Sequence, residues 1–315
     1  MAKRLKSFDK CANGVLRCMQ EKPGNPTCLP KATIVCSDEM IGKIASLEAA
    51  FRSAIAGTCE AAALTAADLL DADGLGFEAL APECVANFGS TLIDVDAITE
   101  CVLDQHECET ERLFAAQEPR AGEMLDLVRS LGARFDLPAC LSDHGAAGGA
   151  GDVRTGKLID KCEAQVKTAA SKFIVAKLGG LEHCVDALFT CRVTQPGDVS
   201  CIAKAQSTCT KELAKIDTAG GKFPAAVDNR CAGAIDFATL RAATGTNLDA
   251  LATQCASVGV PTLDALGSYA TCLFRQHSCR GEELMRFEAP RVEELLGLLS
   301  PPVALRSDFC PAPTP

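Results

Sequence analysis

The sequence predicts an all-α fold made of two tandem helical repeats stapled by disulfides, and three observations carry that expectation. Nineteen cysteines fall on two matching ladders. Apolar residues are 48% of the chain but aromatics only 4%, with no Trp and one Tyr, so Ala, Leu, Val and Ile must fill the interior; small aliphatic side chains suit closely packed helices better than strands. Long stretches place apolar residues and cysteines three to five positions apart, the period of an amphipathic helix.

The first ladder reads Cys11, Cys18, Cys28, Cys36, Cys59, Cys84, Cys101, Cys108 and Cys140, and the second Cys184, Cys191, Cys201, Cys209, Cys231, Cys255, Cys272, Cys279 and Cys310. Matching cysteines differ by 173 positions at the start and 170 at the end. So small a drift means duplication of a covalently stapled segment. The expected division is a first repeat over residues 1–143, a Gly/Ala-rich linker over 144–156, a second repeat over 157–310, and a Pro-rich tail over 311–315. The linker is read as flexible because it has little to bury and no period.

From Lys157 to Arg192, Leu158, Cys162, Val166, Ala169, Phe173, Ala176, Leu181, Cys184, Leu188 and Cys191 trace one helix, weakly broken at Gly179-Gly180. Turn chemistry follows at Thr194-Gln-Pro-Gly-Asp198, and at Glu21-Lys-Pro-Gly-Asn-Pro26 in the first repeat. A second helix is expected from about Val199 to Ile216, with a loop near Gly220-Gly221. Cysteines flank the turn symmetrically, which predicts nested pairs across an antiparallel hairpin: Cys191 with Cys201, Cys184 with Cys209, and Cys162 with Cys231. The first repeat gives Cys18 with Cys28 and Cys11 with Cys36. Later in each repeat come a helix, a Gly-containing turn at Gly74 or Gly245 and a helix ending near Cys84 or Cys255. A further helix carries Cys101 and Cys108, or Cys272 and Cys279. Cys84 with Cys101 and Cys108 with Cys140 are the simplest remaining pairs, with Cys255–Cys272 and Cys279–Cys310 as analogues.

Met1 aligns with Ile174, so the counterpart of Lys157 to Phe173 precedes the first residue, and Cys162 maps to about position −11. The first repeat is therefore expected to be N-terminally incomplete, which leaves Cys59 as the free thiol. The alternative is a free cysteine elsewhere, because spacing does not dictate connectivity. The cysteine spacings contain no Cys-x-x-Cys, which removes the usual zinc-ribbon, ferredoxin, thioredoxin and c-type haem patterns. Disulfides persist in oxidising compartments. An extracellular or periplasmic location is expected, with a signal peptide upstream of Met1, since Met1-Ala-Lys-Arg-Leu-Lys-Ser-Phe has no apolar core. No uninterrupted apolar stretch is long enough to span a membrane.

The most faithful repetition outside the cysteines is Cys101-Val-Leu-Asp-Gln-His-Glu-Cys108 against Cys272-Leu-Phe-Arg-Gln-His-Ser-Cys279. It continues through Glu111 and Glu282, Leu113 and Leu284, and Pro119-Arg120 and Pro290-Arg291. Either His106 and His277 are ligands that join Glu111 or Glu282 at a metal or haem, or these residues serve the fold. Five residues on a helix put His106 and Glu111 about 140° apart, and two groups are too few for a site. The structural reading is favoured: Gln and His satisfy carbonyls or a carboxylate, and Pro-Arg opens the next helix with Arg paired to Glu. No metal, cofactor or catalytic residue is assigned. No Gly-x-Ser-x-Gly, His-Glu-x-x-His or phosphate-cradling loop is present.

The net charge of −10 is uneven. Residues 1–36 carry seven Lys or Arg against two acids, and residues 157–222 ten against seven, leaving the remainder strongly acidic. Basic hairpins alternating with acidic helical segments favour self-association, so a homo-oligomer or extracellular assembly is the expected partner class. Nucleic acid is disfavoured by net charge and the scarcity of stacking aromatics.

The Lys/Ala-rich helix, Cys-x6-Cys, Pro-Gly-Asp/Asn turn, Cys-x7-Cys and later Gln-His-x-Cys with Pro-Arg resemble uncharacterised cysteine-rich secreted proteins of deltaproteobacterial type. The resemblance covers nearly the whole chain outside the linker, and it implies export and disulfides but no activity. The reading is an exported, non-enzymatic structural or binding scaffold. The alternatives are a metal or haem carrier using His106 and His277, and a secreted enzyme of unknown class.

Overall fold

The computed structural model describes residues 1–145 and 148–311. The expected tail lies outside the described residues except for Pro311, as do residues 146–147 of the linker. Described segments are helical or irregular, without strands. In chain order the helices are α1 (Ala2–Glu21), α2 (Cys28–Ser37), α3 (Ile44–Ala61), α4 (Ala66–Leu70), α5 (Ala81–Phe88), α6 (Val95–Gln117), α7 (Ala121–Ser130), α8 (Val153–Phe189), α9 (Val199–Cys231), α10 (Phe237–Arg241), α11 (Ala252–Ser257), α12 (Leu266–Glu288) and α13 (Val292–Leu296).

The hairpins form as their turns require. Gly24 and Gly197 stand at φ +77° and +84°, a region that residues with a Cβ rarely enter, and they reverse the chain between α1 and α2 and between α8 and α9. Nested disulfides then tie like-numbered turns: Cys18–Cys28 and Cys11–Cys36 in the first hairpin, Cys191–Cys201 and Cys184–Cys209 in the second. Cys162 joins Cys231 further out. The remaining bonds are Cys84–Cys101, Cys108–Cys140, Cys255–Cys272 and Cys279–Cys310.

Three local expectations differ from the structure. Helix α8 starts at Val153, inside the expected linker, and passes Gly179-Gly180 unbroken. Helix α9 does not stop near Ile216 but continues through Gly220, Gly221 and Pro224 to Cys231. The physical reason is tertiary: Phe223, Val227 and Cys231 are 2%, 0% and 1% exposed, and their burial outweighs the roughly 1 kcal/mol cost of each glycine and the larger cost of a helical proline. Nor is the linker loose where it is described, since its backbone is bonded at four points. Arg120 donates to Gly148 O, Gln20 Oε1 accepts from Ala150 N, and Asn247 Nδ2 donates to the carbonyls of His144 and Gly145.

The contacts also divide the chain differently from the linear repeats. One compact unit is Met1–Leu47, Glu107–Lys172 and Gly221–His277; the other is Glu48–His106, Phe173–Gly220 and Ser278–Pro315. Each unit thus takes the nested hairpin of one repeat and the Gly-turn helices of the other, and every disulfide closes within a unit. In the first, α1, α2 and α7 pack together around Leu5, Phe8, Leu16, Met124, Leu125 and Val128, all fully buried, with the rings of Phe8 and Phe114 stacked at 5.0 Å. In the second, one cluster gathers Leu181, Val185, Leu188, Val292, Leu295 and Leu296, and another gathers Leu69, Phe77, Leu80, Ile98 and Phe287. Charge segregates with this division. The first unit holds 21 Lys or Arg against 19 acids, a net of +2, and the second 10 against 22, a net of −12.

Candidate functional site

The residues shared by the two Gln-His-x-Cys segments are used inside the fold. His277 is fully buried. Its Nδ1 lies 2.8 Å from Leu273 O and its Nε2 2.8 Å from the amide nitrogen of Gln117. A carbonyl can only accept, so Nδ1 carries the proton and the Nε2 lone pair receives the Gln117 N–H. Burial pushes the imidazole pKa down to about 4, which keeps the ring neutral. With both nitrogens engaged, His277 has no lone pair to offer a metal. His106 sits 2.9 Å from Glu288 Oε1, and Glu288 is the repeat counterpart of Gln117. The second unit therefore faces its histidine with a carboxylate where the first has an amide.

The shared glutamates latch each disulfide arm to a hairpin helix. Glu111 accepts from Cys140 N at 2.8 Å and from Arg4 at 3.0 Å. Glu282 accepts from Ser307 N at 3.0 Å, Ser307 Oγ at 2.6 Å and Lys177 at 2.6 Å. Arg4 and Lys177 are themselves counterparts in the two repeats. Neither glutamate joins the histidine of its own segment, so the His–Glu ligand pair is not assembled. Glu282 does lie beside the sulfurs of Cys279 and Cys310, but those sulfurs are bonded to each other, and a disulfide is not a thiolate ligand.

Pro-Arg explains why the units mix the repeats. Arg120, fully buried, precedes α7 and donates to Gly245 O at 2.9 Å and Thr244 O at 3.3 Å while its Nε meets Glu123 at 2.9 Å. Arg291, preceding α13, donates to Gly74 O at 2.7 Å and Asp73 O at 2.8 Å while its Nε meets Glu294 at 2.8 Å. Each repeat's arginine therefore holds the glycine turn of the other repeat. The turns need glycine because a Cβ at Gly74 would strike the Asp68 carbonyl, and one at Gly245 the carbonyls of Thr239 and Leu240.

One charged cluster in the first unit has no motif to announce it. Lys167 is 2% exposed, and its Nζ lies 2.6 Å from Oε2 of fully buried Glu118. Glu163, one helical turn earlier on α8, is 2% exposed. Burial, then the neighbouring Glu118 charge, raise its pKa well above the usual carboxylate range. Burial pushes Asp9 up to about 6, against the pull of Lys167. Burial also works against the Lys167 charge, but Glu118, Glu163 and Asp9 outweigh it and hold the ammonium. The buried Tyr269 phenol is raised too, chiefly by desolvation. The cluster holds the Lys167–Glu118 ion pair beside the carboxyl groups of Glu163 and Asp9 out of solvent, which is the chemistry of a specificity-setting core network.

No protein family, curated protein or solved structure matches this chain.

Among the expected site residues, eighteen cysteines form the nine disulfides, and Cys59 is half-buried and outside any disulfide. Asp9, Glu118, Glu163 and Lys167 escaped sequence reading because the apolar ladder of α8 points to Cys162, Val166 and Ala169 and leaves Glu163 and Lys167 beside it. The usable signal was the acid-to-lysine spacing of four, which on a helix stacks the two side chains. Among the described residues no helix is long and apolar enough to cross a membrane.

Proposed function

We propose that this chain is a non-enzymatic scaffold of an oxidising compartment, a covalently stapled helical body that presents a surface rather than a reaction site. One observation carries the reading: the polar residues retained by both repeats are bonded to protein groups, His277 to Leu273 and Gln117, Glu111 and Glu282 to the disulfide arms, Arg120 and Arg291 to the glycine turns. Retention is thereby accounted for by folding. Nine disulfides fit export, because reducing compartments do not keep such bonds. The charge division supports self-association, in which the unit with net −12 meets the basic α1–α2 hairpin of another copy.

Metal analysis and a visible spectrum of the purified protein test the first part; stoichiometric metal or a Soret band overturns it. Sizing at low and high salt tests the second. The association should weaken as salt rises, and a monomer at high concentration and low salt refutes it.

A further inference from the structure

The outer face of α2 carries an exposed apolar pair set between opposite charges. The inner face serves the hairpin: Ala32, Thr33 and Cys36 are buried, and Cys28 and Cys36 are bonded to Cys18 and Cys11 of α1. On the outer side Ile34 and Val35 are 64% and 43% exposed, and Lys31 before them and Asp38 after them are exposed as well. At 3.6 residues per turn these four side chains fall within about 100° of one another, so they make one stripe. The second hairpin supplies a comparison within the same chain. By the register of Cys28 with Cys201 and Cys36 with Cys209, the four places are held there by Lys204, Ser207, Thr208 and Lys211. That face is open too, with Lys204, Ser207 and Lys211 exposed, but it is polar and of a single charge sign. The apolar pair is therefore particular to the first hairpin and is not required by the hairpin fold.

We propose that the outer face of α2 is an isologous dimer interface, on which α2 of a second copy of this chain lies antiparallel. The occupant is argued from the order of the four residues. A two-fold axis crossing the helix between positions 34 and 35 sets Ile34 against Val35 of the second copy and Lys31 against Asp38 of the second copy. Apolar then meets apolar and each charge meets its opposite, twice over. The same arrangement of the second hairpin would set Lys204 against Lys211, so like charges keep it out of such a pairing. Burial of Ile34 and Val35 supplies the attraction, and the exposed charge pairs fix register more than affinity. A single pair of helices is a small interface, so the dimer belongs to the weak class. It is a different contact from the salt-driven one proposed above, and the test separates the two.

The test is sedimentation velocity of the full chain with its disulfides intact, from about 1 μM to about 1 mM, the span over which weak complexes dissociate. In about 0.5 M salt, where contacts between net charges are screened, the wild type should pass from monomer to dimer and stop there, because a two-fold contact closes. Ile34→Ser with Val35→Thr, the residues of the second hairpin, should raise the midpoint by roughly tenfold or more. At about 0.1 M salt, Asp38→Lys and Lys31→Asp should each weaken the dimer, and the two together should restore it, since the exchanged charges again oppose each other across the axis. Circular dichroism and a single free thiol per chain check that each variant is folded. A wild type that stays monomeric in high salt overturns the proposal, and association confined to low salt then leaves the salt-driven contact standing alone. A dimer indifferent to Ile34→Ser with Val35→Thr, or a double charge variant no better than the single ones, also overturns it.

Discussion

Replacing Arg120 with Ala removes one guanidinium that serves four groups at once. The side chain is fully buried and donates to Thr244 O, Gly245 O and Gly148 O as well as to Glu123. Each buried acceptor left without a donor costs about 1–3 kcal/mol. Glu123 is partly exposed and rehydrates, and Gln20 Nε2 still donates to Thr244 O at 3.0 Å and Gly245 O at 3.4 Å, so the expected loss, from Gly148 O and the weakened turn, is about 2–4 kcal/mol. Arg120→Lys keeps the charge but not the fork, and one ammonium cannot reach three carbonyls, so roughly half that loss should remain. Arg291→Ala removes two turn carbonyl bonds rather than three backbone bonds and should cost about 2–3 kcal/mol. The assay is guanidinium unfolding with disulfides intact, followed by helical circular dichroism, together with amide exchange resolved by segment. Arg120→Ala should accelerate exchange around Thr244 and Gly245, and Arg291→Ala around Asp73 and Gly74. A loss within about 0.5 kcal/mol, the range of ordinary surface substitutions, or faster exchange at the wrong turn, would refute the reasoning.

Asp9 predicts a pH dependence. Its folded pKa of about 6 lies above the ordinary aspartate value of 3.8, so its protonated form stabilises the fold fully below about pH 4, and that stabilisation is lost as pH rises through 6. Two pKa units correspond to about 3 kcal/mol; Asp9→Asn should flatten the stability profile between pH 4 and 7, and an unchanged profile would count against the cluster. Lys167→Met strands the Glu118 charge and should cost about 3–5 kcal/mol near pH 7. Lys167→Met with Glu118→Leu should recover most of that loss; urea or guanidinium titrations of the variants decide. Gly245→Ala forces a Cβ against backbone carbonyls and should lose roughly 2 kcal/mol or more. Gly57→Ala, where a Cβ in α3 meets nothing, should gain about 0.5–1 kcal/mol, and equal effects at the two sites would show that turn packing is not the cause.

Helical class, repeat length and the nested hairpin were legible because each rests on short-range order. Side-chain period names the helix, Pro-Gly names the turn, and cysteines equally spaced from a turn meet when two helices run antiparallel. The duplicated Gln-His, Glu and Pro-Arg residues were legible as important but not as partners. Nothing local to Arg120 points to Gly245, more than a hundred residues away. The expected stop near Gly220-Gly221 failed for a related reason, since local propensity argues for a break and only the burial of Phe223 and Val227 answers it.

From residue order come the all-α character, the two ladders and the thiol without a mate, since composition, periodicity and counting suffice for all three. Which half of each repeat shares a core with which was settled by packing, because a linear ladder is equally consistent with separate halves and with interleaved ones. The same holds for Asp9, Glu118, Glu163 and Lys167. A charge is cheap on a helix face in water and costly inside, and only the surrounding helices determine which of the two it meets.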